Sequence, residues 1–251
     1  MRVHRLPLHG ANAYVISGEH HVLVDTGPAR ARTALLEGLA QIGLGGQDLS
    51  LVLVTHAHAT SVGNAAYLQR VFHVPVAVQG ADAPILASGL DRTSRRSSIM
   101  PALRRSLDET RFEALAPDVV FGHTLSLEPF GCQGTVVHTP GHTIGSTSVL
   151  LASGDAIVGD LVTGGWFGGR VMPNRPTRHV LAEIPGRVAR SLALLNRLGA
   201  QRLHPGTGGE LLMADVKRLI IDRSTAIAVG PNPTRVRERR LRTDLSMSLV
   251  G

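Results

Sequence analysis

Short apolar runs alternate with turn residues from the first residues of the chain onward. NAYVIS and HHVLVDTG read as two strands separated by a turn around Ser17–His20. PARARTALLEGLAQIGL has helical spacing, with Pro28 suited to a first turn and Gly43 near the stop. LSLVLVTHAH predicts a buried strand and VGNAAYLQRVF a helix packed on it. VPVAVQG is a further strand, followed by a short helix at ADAPILAS. Residues 91–117 change character, becoming polar, arginine-rich and weakly helical. From residue 118, DVVFG, TLSLEPF, TVVHTPG, STSVLLAS and GDAIVGDLV predict successive strands, with a hairpin at Ser153–Gly154–Asp155. A long helix is expected across 178–198, interrupted by Pro185–Gly186. RLHPGTGG then reads as a strand and loop, and ELLMADVKRLIIDRSTAIA as a last helix. Strands alternating with helices predict a layered α/β fold. With no internal repeat and no clear linker, one domain over 1–230 is expected, with a basic tail at 231–251.

Composition narrows the class without naming a function. The chain has 251 residues, 43% of them hydrophobic, enough for one substantial core. No apolar run approaches the roughly 20 residues that span a bilayer. The start, MRVHRLPLHGANAYVIS, lacks the apolar stretch of a signal peptide, so a cytoplasmic protein without membrane attachment is expected. The single cysteine, Cys132, excludes an intrachain disulfide. Net charge is +7, carried almost wholly by arginine, with Lys217 the one lysine. That balance invites a nucleic-acid reading, but aromatics make up only 3% of residues and no nucleic-acid motif appears, so the reading is set aside.

The chemistry-bearing residues lie at strand ends. His56 and His58 stand two apart at the end of an apolar run, and in extended backbone such residues point the same way. HTPGHTIGS places His138 at a strand end and His142 in a Gly-flanked loop, and GDAIVGDLV puts Asp160 at the end of another strand. Three neutral imidazoles and one carboxylate suit Zn²⁺, and equally Fe²⁺ or Mn²⁺.

The stretches NAYVI, LVDTG, LVTHAHATSVGN, HTPGHTIGSTS, GDLV and LHPGTGGEL, in that order over residues 12 to 212, resemble the metallo-β-lactamase-fold superfamily, in its glyoxalase II-like and lactonase-like hydrolase branch. The resemblance implies a four-layer αββα sandwich and a motif T-H-x-H-x-D-H-x-G. On that motif His56, His58 and His142 match the first-metal ligands, and Asp160 matches the bridging carboxylate. The second-metal ligands are replaced: Thr60 and Ser61 stand where the family has Asp and His, and Thr207 where it has the histidine of P-G-H-G. All three departures fall on one metal's ligands, which implies a mononuclear site with a vacated second pocket. Asp25 of LVDTG matches the acidic residue beneath the metals, expected to accept a hydrogen bond from a ligand imidazole. His204, three residues before Thr207, is carried as a catalytic candidate beside Asp160, while His123, His138 and His179 are left as structural or surface residues.

One Zn²⁺ held this way lowers the pKa of bound water to about 7. The resemblance therefore implies a hydrolase of an ester, lactone, thioester or amide in a small molecule. Residues 91–117 fall where the family inserts helices over the active site, which makes Arg95 and Arg96, with Trp166, the substrate-binding candidates. Arginines there favour an anionic or carrier-bound substrate. Two alternatives stay open: a non-hydrolytic metalloenzyme (an iron-dependent oxidoreductase, a lyase, an isomerase or a cyclase) and a silent ligand-binding protein. Oligomeric state is not readable.

Overall fold

The computed structural model describes residues 1–91, 111–179 and 181–218. The first sheet has six strands in sequential order: β1 (Arg2–Leu8), β2 (Ala11–Ser17), β3 (His21–Val24), β4 (Leu49–Leu53), β5 (Val76–Gln79) and β6 (Val119–Phe121). β1–β2 and β2–β3 pair antiparallel, while β3–β4, β4–β5 and β5–β6 are parallel. Parallel neighbours need a crossover, and α1 (Arg32–Gln41), α2 (Ala59–Val62), α3 (Ala65–Phe72) and α4 (Ala83–Ser88) fall within these crossovers.

The second sheet also has six strands: β7 (Thr124–Ser126), β8 (Gly134–His138), β9 (Thr147–Leu151), β10 (Asp155–Gly159), β13 (Arg202–Pro205) and β14 (Leu211–Leu212). Their spatial order is β14-β13-β10-β9-β8-β7. The hairpin expected at Ser153–Gly154–Asp155 is the antiparallel β9–β10 connection. α5 (Pro185–Arg197) links the separate hairpin β11 (Thr163–Trp166) and β12 (Val171–Thr177) to β13.

The four layers follow from period-2 alternation on strands buried on both faces. On β4 and the residue after it, Val52 and Val54 join a cluster with Leu35 and Leu39 of α1 and Leu68 of α3. The intervening Leu51 and Leu53 face the other way, into a cluster with Val136, Val149 and Ile157 of the second sheet. On β10 the flanking Ala156 and Val158 join Leu192 and Leu195 of α5 in a third cluster. Three apolar interfaces thus separate helix, sheet, sheet and helix, giving the expected αββα sandwich.

Three differences from the sequence expectations bear on the site. The long helix starts at Pro185, with Pro185–Gly186 opening it and not interrupting it, because proline fits the first turn and not the interior. The helix expected over ELLMADVKRLIIDRSTAIA does not begin at Glu210, because Leu211–Leu212 forms β14, paired antiparallel with β13. Of the arginine-rich stretch 91–117, residues 112–117 carry no regular structure, and Phe112 and Leu115 sit in the first core. Arg95, Arg96 and the tail 231–251 lie outside the described residues, as does the part of the expected last helix beyond residue 218.

Candidate metal centre

β4 ends at Leu53, and the chain runs on through Thr55 to His56 and His58 before α2 begins. The loop between β8 and β9 carries His142, and Asp160 directly follows β10. The two sheets are tied together here by the Thr147 N–H, which donates to the Thr55 carbonyl at 2.9 Å. The rings of His56, His58 and His142 meet edge to face, with centroids 4.6–4.7 Å apart. His142 Nε2 lies 2.9 Å from His58 Nδ1. Asp160 Oδ2 lies 3.7 Å from both His56 Nε2 and His142 Nε2.

All three imidazoles are buried. Burial, then the neighbouring His58, push His56 down to about 3. Burial, then His179, hold His142 well below its ordinary value. Neutral imidazole is the ligating form. Burial would raise the Asp160 carboxyl, yet His179 first, then His142 and His56, hold it well below the ordinary carboxylate range. The ligand nitrogens of His56, His58 and His142 lie within 4.8 Å of one another, as do the ligand atoms of His142, Asp160 and His179, and such donor sets fit a divalent cation.

Outer partners orient the ligands. Thr55 donates its N–H to Asp25 Oδ1 at 2.8 Å and its hydroxyl to Asp25 Oδ2 at 2.7 Å. With its one proton used there, the Thr55 oxygen accepts from His56 Nδ1 at 2.9 Å, which leaves the Nε2 lone pair facing Asp160. Asp25 thus reaches His56 through a hydroxyl, where the sequence predicts a direct bond. Its backbone is left-handed (φ 60°), and burial, then the opposing Thr55 hydrogen bonds, leave its carboxyl raised to about 7.

Asp82 has no local sequence signal beyond its place at the start of α4. Its carboxylate does not cap that helix. Instead it accepts from the Ala57 N–H (2.9 Å), the Thr143 hydroxyl (2.9 Å) and the Gly145 N–H (3.0 Å). One buried carboxylate therefore ties the His56–His58 loop to the His142 loop. Asp91 Oδ1 lies 3.9 Å from His58 Nε2.

The remaining sequence candidates divide. Ser61 is buried, its Oγ 3.3 Å from His56 Nε2, while Thr60 is exposed and Thr207 half-buried. The Thr207 loop is fixed by Asn12, whose Nδ2 donates to the carbonyls of Pro205 and Gly208. His204 is not brought to the cluster. In the β10–β13 register it sits opposite Ile157, and its Nε2 meets Asp155 Oδ1 at 2.9 Å. Trp166 is 41% exposed on β11, with the Arg175 guanidinium 5.1 Å above its ring centre. His179, left aside on sequence, lies with its Nε2 3.3 Å from Asp160 Oδ2 and its ring 4.3 Å from that of His142.

The family model of the metallo-beta-lactamase superfamily matches residues 6–178. The chain belongs to the metallo-beta-lactamase superfamily. A probable metallo-hydrolase of Methanocaldococcus jannaschii is 25% identical to this superfamily member over 208 residues, 80% of this chain and 88% of that protein. A probable metallo-hydrolase of Bacillus subtilis is 29% identical over 177 residues, 62% of this chain and 64% of that protein. A solved metallo-beta-lactamase family protein from Thermus thermophilus superposes with a TM-score of 0.63 at 22% identity, covering 92% of this chain and 84% of that one. Likeness at that identity speaks for the fold. Metallo-beta-lactamase superfamily proteins bind divalent metals, and the His56–His58–His142 cluster is a set able to hold one. Among the described residues, no helix is long and apolar enough to cross a membrane.

Proposed function

We propose that this chain is a mononuclear metal-dependent hydrolase acting on an ester, lactone, thioester or amide bond of a small molecule. The observation that carries the reading is the convergence of His56, His58 and His142 beside Asp160. Ser61, whose oxygen approaches His56, brings only a hydroxyl, a poor metal ligand. The names of the Methanocaldococcus and Bacillus relatives support the hydrolytic class.

A bound divalent ion, with zinc the expected one and Fe²⁺ or Mn²⁺ the alternatives, would supply Lewis acidity toward a carbonyl and toward water. The chain's own residues do the rest. His56 is held by Thr55 in the tautomer that offers Nε2 to the site. Asp160, ionised and 3.7 Å from two ligand nitrogens, would orient a water and accept its proton. The arginines of 91–117, Arg95 and Arg96 among them, favour an anionic or carrier-bound substrate on sequence grounds.

Metal analysis of protein purified without added metal, combined with a panel of chromogenic esters, lactones and thioesters, tests the reading. One zinc per chain, with hydrolysis abolished together with metal binding in His142→Ala, is expected. Two ions per chain would overturn the mononuclear assignment. One iron without hydrolysis would move the protein to redox chemistry. No metal, and no loss of stability on chelation, would leave a ligand-binding protein.

A further inference from the structure

The fold brings one residue to the centre that no motif marks. Asp160 lies three residues before Thr163, and in the β11–β12 hairpin Thr163 pairs with Thr177. The two threonine hydroxyls meet at 2.7 Å, and Thr177 Oγ1 also donates to the Gly165 carbonyl at 2.8 Å. Continuing that antiparallel register carries the chain after Thr177 back toward Asp160. Downstream, the Glu183 and Ile184 N–H groups donate at 2.9 Å to the carbonyls of His142 and Gly141. His179 is thus held between the strand that follows Asp160, three residues on, and the loop that delivers His142.

The proton on its ring can be located. The Leu181 N–H donates to His179 Nδ1 at 3.3 Å, so Nδ1 carries the lone pair and the ring hydrogen lies on Nε2. Nε2 is the atom that faces Asp160 Oδ2 at 3.3 Å. A protonated nitrogen is a donor and not a ligand. His56 and His142 approach the same carboxylate oxygen, but His56 has its hydrogen on Nδ1, toward Thr55, and His142 Nε2 is turned toward His58.

We propose that His179 is a positioning residue whose Nε2–H holds the Asp160 carboxylate against the His56–His142 face, and that it does not itself ligate the ion. Asp160 thereby has an N–H donor supplied by the chain itself, 3.3 Å from its Oδ2. A buried carboxylate without such a donor would be costly.

This inference rests on reading the histidine cluster as a metal site, and the test separates the two. In the metal-free protein, long-range ¹H–¹⁵N spectra should show His179 as the Nε2–H tautomer. An Nδ1–H tautomer would overturn the proposal whatever the cluster binds. Cobalt titration in competition with a chromophoric chelator is then compared for wild type, His179→Gln and His179→Leu. Glutamine can still donate an N–H, so His179→Gln should bind one Co²⁺ within about threefold of wild type with unchanged visible bands. His179→Leu should bind 10- to 100-fold more weakly with shifted bands, the range for loss of an outer-shell partner. Equal affinity for His179→Leu and wild type would remove the positioning role. Equal losses in both variants would instead make the imidazole a ligand. Failure of wild type to bind cobalt would sink the metal reading, and with it a positioning role toward an ion. Melting temperatures in chelator identify a variant that does not fold, and His179→Gln carries the test in that case.

Discussion

Asp82→Ala is the perturbation whose cost follows most directly from the structure. Asp82 is 1% exposed, and its two oxygens accept three hydrogen bonds, from Ala57, Thr143 and Gly145. Alanine leaves the Ala57 and Gly145 N–H groups buried without an acceptor, at about 1–3 kcal/mol each, while the Thr143 hydroxyl keeps Ser146 Oγ at 2.9 Å as a partner. Entry of water into the space offsets part of this, so about 3–5 kcal/mol is expected, a large share of the roughly 5–15 kcal/mol of a typical domain. Asp82→Asn keeps the volume and one carbonyl oxygen but presents an amide to one of the donors, so about 1–3 kcal/mol is expected. Urea unfolding followed by tryptophan fluorescence and circular dichroism, in chelator so that ion binding does not contribute, reads the difference. With a slope near 3 kcal/mol/M, the alanine midpoint should fall by roughly 1–1.7 M. Because Ala57 lies between the two histidines of the first loop and Thr143 follows His142, the same variant should weaken metal binding although no ligand is touched. A midpoint shift below a third of a molar, with unchanged metal affinity, would refute the view that this carboxylate couples the two ligand loops.

Two further changes probe the surroundings. A β-carbon on Gly206 would stand 2.6 Å from Asp160 Oδ1, so Gly206→Ala should displace the carboxylate and lower metal affinity about 10-fold or more while the fold persists; calorimetric titration with zinc that matches wild type would contradict it. Asp155 is held well below the ordinary carboxylate range, first by Arg202, against desolvation, with Ser153 and His204 adding to it. A depressed carboxyl stabilises above the unfolded value, about 3.9, and loses that contribution as pH falls from there toward the folded value. Asp155→Asn should therefore cost about 1–2 kcal/mol at pH 7, discounted for the half-exposed Arg202. The gap to wild type should narrow at pH 3 in paired urea titrations, and a constant gap would argue against the ion pair as its source.

What was legible in the sequence was local and periodic. The near-continuous apolar runs in LSLVLV and DAIVG predict strands buried on both faces, and such strands need a layer on each side. Two histidines two apart at a strand end must point the same way, whatever follows. The motif order carried the family and the αββα sandwich. Tertiary structure decided which other residues share that space. His204 and His179 are alike in sequence, each a histidine near a strand end. Register alone sends His204 to Asp155, opposite Ile157, and brings His179 round a hairpin to Asp160. Asp82 reads as a helix-start aspartate, and only the approach of two distant loops turns its carboxylate away from the helix to hold them both. Spacing along a chain encodes the direction of a side chain within its own strand or turn. It does not encode which strand ends meet, because that depends on pairing and packing between segments that lie tens to more than a hundred residues apart.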